Sequence, residues 1–386
     1  MKTLWGILLG VGVLAVACNT IAQTWTQTSA PNLSWTSVAS SADGSKLVAA
    51  AFTGPIYTST NAGVDWVTNV SLNNGGLSVA SSADGTFLVA NRIQSGPGYV
   101  YTSTNSGATW QYSFNGNYVA SSADGSHLVS AFTSGIICVS TNFGRNWTRT
   151  SAPLKTWSCI AASADGLKLV AGAAYDAIYS STDFGSSWIT NSVPSKPWSS
   201  VASSADGSIM VAVAGHKNGA TGPIYVSTNP ATGWNAANAP VTNWVAVTAS
   251  ANGSKMFALV AGDSPAGPNT FYTSTNFGLT WAAAYAPNAW WSAIVSSADG
   301  NQLLAAGANI YTLQTTPTPL LNVTPSPTNL TLSWIVPSTN FMLQQSANLT
   351  SWSSVTNPPI LNLTNLQNQV TLWPTNGSGF YRLTTP

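Results

Sequence analysis

Seven times between residues 41 and 300 the chain returns to Ser-Ala-Asp-Gly or its variant Ser-Ala-Asn-Gly. The third residue of each copy falls at Asp43, Asp84, Asp124, Asp165, Asp206, Asn252 and Asp299. The steps are 41, 40, 41, 41, 46 and 47 residues. A period of about forty residues constrains the fold more than any single motif, because each repeat is one supersecondary unit that buries its apolar face on the next.

The stretch Trp35 to Trp66, WTSVASSADGSKLVAAAFTGPIYTSTNAGVDW, is the unit that the others vary. It reads as four short strands. A small alternating strand, Ser37 to Ser41, ends at the Asp-Gly turn, whose residues tolerate the positive φ of a tight hairpin. The apolar run Lys46 to Phe52 follows, and Gly54-Pro55 separates it from Ile56 to Ser59. A second turn, Asn61 to Asp65, leads to a fourth strand at Trp66. Four strands per unit and seven units predict an all-β, seven-bladed propeller. Ala and Ser dominate the first strand of every unit, which suits seven strands converging on one axis where bulky side chains would collide.

The second turn carries its own signature: STNAGVDW ending at Trp66, STNSGATW at Trp110, STNFGRNW at Trp147, STDFGSSW at Trp188, STNPATGW at Trp234 and STNFGLTW at Trp281. This resembles the Asp-box, or BNR repeat, of sialidase-like propellers, Ser/Thr-x-Asp-x-Gly-x-x-Trp. Asn replaces Asp everywhere except Asp183, and Ala231 replaces the Gly in the fifth copy. Asn and Asp both accept backbone N–H bonds, so the motif is read as structural; the resemblance implies that it lies on the outer rim, away from the ligand face. The overall blade pattern is also similar to photosystem II assembly-factor propellers, which implies a scaffolding role.

The ends of the chain read differently. Residues 1–22 look like a secretory signal: Lys2, an apolar run from Leu4 to Ala17, and a small-residue cleavage site at Thr20-Ile21-Ala22. Lipid attachment at Cys18 is the competing reading. The run is too short to span a bilayer comfortably and no other stretch is a candidate membrane helix. The mature chain is therefore expected to be secreted, periplasmic or at the cell surface of a bacterium. Residues 24–31, TWTQTSAP, match the fourth strand NWTRTSAP at 146–153, whereas the seventh unit stops after its third strand. The N-terminal strand is thus predicted to complete the seventh blade, with Trp25 as its missing Trp, giving a propeller over 23–314 in which an otherwise exposed strand edge is paired. A Pro/Thr-rich linker is expected over 315–328. Residues 329–386 alternate in the strand manner and predict a small β-sandwich. The run FMLQQSANLTSWSSV followed by GFYRL resembles fibronectin-III-like tails of secreted bacterial proteins, which implies adhesion, spacing or sorting.

Composition narrows the chemistry. Only 5% of residues are charged and the formal net charge is +1, so there is no basic track for nucleic acid and no acidic partner surface. No Glu occurs, and the ten acidic residues are all Asp, six of them in the SADG turns. One carboxylate per turn falls short of a calcium loop. The Asp-box enzymes use an arginine cluster and a Tyr–Glu pair; here Arg92, Arg145, Arg149 and Arg382 cannot assemble such a cluster, which excludes sialidase chemistry. No metal and no cofactor is expected. Cys138 and Cys159 are read as buried free thiols rather than a bridge, because first and third strands are not neighbours.

Strand alternation puts the SADG and second turns on one face, here the bottom. The loops between second and third strands and those between blades form the top. Charges outside the repeat collect there: Arg92, Lys155, Asp176, Lys196, His216, Lys217 and Asp263. Trp35, Trp157, Trp198, Trp244 and Trp291 each precede the marker residue by eight positions, and Trp290 adds a neighbour. They are read either as wedges between blades or as a ring of indoles for stacking on sugars. Tyr57, Tyr101, Tyr179, Tyr225, Tyr272 and Tyr311 recur in the third strand and are read as core. Two functions follow. The first is a non-catalytic, monomeric module binding an extracellular polysaccharide or protein through Trp35, Trp157, Trp198, Trp244, Trp290, Trp291, Arg92, His216 and Lys217. The alternative is a propeller glycoside hydrolase or lyase using Asp176 and Asp263, with His216 as auxiliary.

Overall fold

The computed structural model describes residues 25–384 except 70–75, 77, 93–97, 134, 217–218, 230–232, 262–269, 288–289, 315–320, 327–328, 337–340 and 373–378. The leader, Cys18, Lys217 and Asp263 lie outside the described residues. Every regular element described is a strand. The first blade is Trp35–Ser40, Leu47–Ala51, Ile56–Ser59 and Val67–Asn69, each antiparallel to the next. Six further four-stranded blades repeat this order, and blades four and five are joined where Ala174 and Asp176 pair with Pro197 and Lys196.

The ring closes as the repeat demanded. Trp25–Gln27 pairs antiparallel with Ile310–Gln314, Trp25 opposite Leu313 and Gln27 opposite Tyr311. The Trp25 ring packs edge-on against Phe271 at 5.4 Å, and its indole N–H donates to the Tyr285 carbonyl at 3.0 Å. The seventh blade's outer edge is therefore paired.

Two circular contacts at the bottom end explain why the tetrapeptide is so constant. The Ala42 N–H donates to the Ala83 carbonyl, Ala83 to Ala123, Ala123 to Ala164, Ala164 to Ala205, Ala205 to Ala251, Ala251 to Ala298, and Ala298 back to Ala42, all at 2.7–2.8 Å. This belt brings seven backbones together around the axis, and a larger side chain than Ala would crowd it. Outside the belt, the residue three after each marker lies over the glycine of the next turn: Lys46 over Gly85, Phe87 over Gly125, His127 over Gly166, and so on to Gln302 over Gly44. Gly44 stands at φ +76°, a left-handed backbone that favours glycine, and the Gln302 side chain lies over it.

Within each turn the marker carboxylate is a structural acceptor. Asp84 accepts from the Ser82 hydroxyl at 2.6 Å and the Thr86 N–H at 2.9 Å, and Asn252 accepts the same pair from Ser250 and Ser254. Burial alone would raise the Asp84 pKa, but these donors hold it below its ordinary value. The second turns of blades one, two, three and six follow one plan as well. In the first blade the Ser59 hydroxyl accepts the Gly63 N–H, the Asn61 side-chain oxygen accepts the Asp65 N–H, and the Trp66 indole donates to the Gly63 carbonyl. Asp183 takes the Asn role unchanged, accepting the Ser187 N–H at 2.8 Å.

The C-terminal part is a two-sheet sandwich. One sheet holds Asn322–Pro325, Leu330–Ile335, Gln367–Leu372 and Ile360–Asn362; the other holds Ser353–Ser354, Met342–Ser346 and Phe380–Thr384. Leu332, Trp334, Leu343, Val370 and Leu383 fill the space between them. The linker drawn over 315–328 is shorter than expected, since Asn322–Pro325 pairs along its length with Leu330–Ser333. The first residue of a strand or its edge tolerates Pro, which is why composition misplaced this boundary.

Candidate functional site

The top face is assembled from the ends of second strands and the connections between blades. Its best-defined part lies where blades three, four and five meet. Leu169–Asp176 is three residues longer than Leu47–Ala51 of blade one and reaches over to pair with the start of Lys196–Ser203. Lys155, on the connection from blade three, places its ammonium 2.7 Å from the Asp176 carboxylate. That hydrogen bond, with the Ala177 N–H, holds Asp176 below its ordinary pKa; the same contact raises Lys155. The Asp176 carbonyl accepts the Trp198 indole N–H at 2.8 Å, tying the loop to the next blade.

Two exposed apolar residues adjoin this ion pair in sequence, Leu154 before Lys155 and Tyr175 before Asp176. Tyr175 is 64% exposed and sits at φ +57°. Left-handed backbone is unfavourable for a bulky residue, and such strain persists where the surroundings impose it, often at functional surfaces. Phe52, Val241 and Trp290 are likewise exposed on top-face loops of other blades, Trp290 to 61%. Of these side chains only Trp290 is a candidate in the sequence; no motif marks Phe52, Leu154, Tyr175 or Val241.

Of the two readings of the indole ring, the structure supports wedges and removes the stacking platform for five of the six residues. Trp35, Trp157, Trp198, Trp244 and Trp291 are buried, none more than 5% exposed. Each packs edge-on against the third-strand tyrosine of its own blade, at 5.2–5.7 Å between centroids: Tyr57, Tyr179, Tyr225, Tyr272 and Tyr311. The Trp157 indole also donates to the Gly135 carbonyl of the preceding blade. These five are wedges between blades and offer no face for stacking on a sugar. In blades two and three the same position is Gly76 and Gly116, and Tyr101 packs instead against Tyr112. Of the aromatic candidates, Trp290 alone presents its ring.

The remaining candidates divide. Arg92 ends the strand Leu88–Arg92 on the top side. His216 ends Met210–His216, its backbone opposite Ala220, and its side chain lies outside the described residues. Asp176 is engaged by Lys155, so the proposed carboxylate pair has one member committed to an ion pair and the other, Asp263, outside the described residues. Cys138 and Cys159 are free and buried, as read; burial pushes the Cys159 thiol up to about 12, which makes it unreactive at neutral pH. Among the described residues no helix is long and apolar enough to cross a membrane.

No protein-family model matches the chain, and no curated protein does. Solved structures match its fold. The GH74 xyloglucanase from Xanthomonas campestris superposes with a TM-score of 0.61 at 16% identity, over 81% of this chain and 59% of that one. A GH74 enzyme from Niastella koreensis gives 0.61 at 14% identity, over 86% and 68%. YCF48 bound to a D1 peptide gives 0.57 at 14% identity, over 78% of this chain and 99% of that one. The chain thus spans 59% of the length of the xyloglucanase and nearly all of YCF48. The fold is that of a seven-bladed β-propeller followed by a β-sandwich, and such folds host unrelated functions.

Proposed function

We propose that this protein is an extracytoplasmic binding scaffold that grips a segment of another protein with the top face of its propeller. The observation that carries the reading is the set of exposed apolar side chains on the top loops, Phe52, Leu154, Tyr175, Val241 and Trp290. Mixed aliphatic and aromatic groups spread over the top loops of several blades suit a peptide or protein surface. The peptide-bound propeller among the structural neighbours supports the same use of the fold. The leader-like residues 1–22 support export, the second turns support descent from Asp-box propellers, and the sandwich supports a fibronectin-III-like spacer or adhesion role.

Peptides selected from a random library on the immobilised full chain test this. They are expected to lose at least about tenfold in affinity to Tyr175→Ala and Trp290→Ala, the scale of a moderate hot spot. Unchanged affinity in both variants overturns the reading. Native gels cast with a polysaccharide panel test the second reading: retardation there, with no selectable peptide, favours a sugar ligand. Clearing of a gel that Asp176→Asn abolishes favours the hydrolase or lyase, with Asp263 and His216 the next residues to replace.

A further inference from the structure

The alanine belt has an occupant. Ala42, Ala205, Ala251 and Ala298 form one apolar cluster with Ala83 and Ala164, and the other members of that cluster are Ile335, Val336 and Leu366 of the C-terminal sandwich. Above the belt lies an axial cavity of ≈170 Å³, walled by serines and alanines of all seven inner strands, and among the described residues of the sandwich Leu366 alone joins its wall. The sandwich thus presents two adjacent tips to the axis. Ile335 ends the strand Leu330–Ile335 and Val336 follows it, and Leu366 ends the turn between Ile360–Asn362 and Gln367–Leu372. The Val336 N–H donates to the Leu366 carbonyl at 3.0 Å, which locks the tips together.

Leu366 is also the wrong residue for its turn. It stands at φ +52°, where Gly or Asn would relieve the backbone. A hairpin serving the sandwich alone has no need of a leucine there. A side chain aimed at a mouth of seven alanines does.

We propose that the sandwich tip is an intramolecular ligand for the alanine belt, a plug that closes the SADG end of the propeller and holds the two domains as one body. The tether makes three side chains sufficient. Residues 315–320 separate the last propeller strand from Leu321, and so short a connection gives an effective concentration in the millimolar range. A contact too weak to persist between separate molecules then stays formed. The proposal is independent of the top-face reading, and it leaves that face as the accessible end of the channel.

Leu366→Gly in the full chain separates the roles, because it removes the plug while relieving the turn. Small-angle scattering is expected to show a larger radius of gyration, and thermolysin to cut Leu320-Leu321 at least about tenfold faster. Amide exchange in Leu330–Ile335 should stay as slow as in the parent, showing an intact sandwich. An unchanged radius together with an unchanged cleavage rate overturns the plug. If Leu366→Gly loosens the sandwich itself, Leu366→Asn, whose amide also suits the left-handed turn, is read by the same two criteria.

Discussion

The two ends of the propeller are built on opposite principles. At the bottom, seven turns of nearly one sequence are chained by one belt of hydrogen bonds, and each glycine is covered by a residue of the preceding blade. At the top the connections vary in length and sequence, and large apolar side chains stand in solvent there, Leu154 and Tyr175 each next in sequence to a member of one ion pair. Closure of a ring demands identical joints, so repetition accumulates where the backbone converges. Recognition demands difference, so variation accumulates at the other end. Where the chain repeats, it is describing its fold; where it stops repeating, its function.

The comparison breaks first if the ring does not depend on its closing strand. Deleting residues 23–33 removes the Trp25–Gln27 pairing and the edge-on packing of half-buried Trp25 on Phe271. With a cost of about 3–5 kcal/mol, as for loss of a buried aromatic, and 2–4 °C per kcal/mol in a domain somewhat smaller than this one, the melting temperature should fall by roughly 10 °C. Next comes a pair of tryptophans that sequence placed together. Trp198→Ala should cost about 3–5 kcal/mol because its ring is buried on Tyr225, whereas the exposed Trp290→Ala should stay within about 0.5 kcal/mol; denaturant titrations read both.

Smaller effects sharpen the contrast between turns and loops. Asp206→Ala at the bottom strips acceptors from the Ser204 hydroxyl and the Ser208 N–H and should cost about 1–2 kcal/mol. Asp206→Asn should cost less, since Asn252 fills the same role natively. Asp176→Asn at the top should cost less than about 1 kcal/mol, as for other exposed ion pairs.

Acid provides the gentlest test. Burial by itself would raise Asp84, Asp124 and Asp206, but hydrogen bonds from Ser82, Ser122 and Ser204 and the backbone N–H two residues on bring each below its ordinary value. A carboxylate depressed in the folded state contributes stability that is whole above its unfolded pKa of about 3.9 and is lost as pH falls through the folded one. Melting temperature should therefore hold to about pH 5 and decline below pH 4. Asp84→Asn should flatten that decline slightly.

The architecture was legible because the spacing of the marker residues counts blades and the TWTQTSAP segment names its own partner strand. The five buried tryptophans could be placed at the entrance of each inner strand but not oriented, since one indole serves equally as wedge or platform; only the tyrosine beside each decides. Tyr175 carried no signal, because its exposure and its left-handed backbone arise from the lengthened strand of blade four pairing with blade five. The plug was invisible for a related reason. Ile335, Val336 and Leu366 read as sandwich residues, and nothing local tells a leucine that its contact lies in another domain.

The most direct measurement compares three exposed apolar side chains at each end. The affinity of a selected peptide is measured for a top variant, Leu154→Ser, Tyr175→Ser and Trp290→Ser together, and for a bottom variant, Val64→Ser, Phe143→Ser and Leu279→Ser, all six residues being exposed. The account predicts at least a tenfold loss in the top variant and none in the bottom one. A loss confined to the bottom variant, or equal in both, contradicts it.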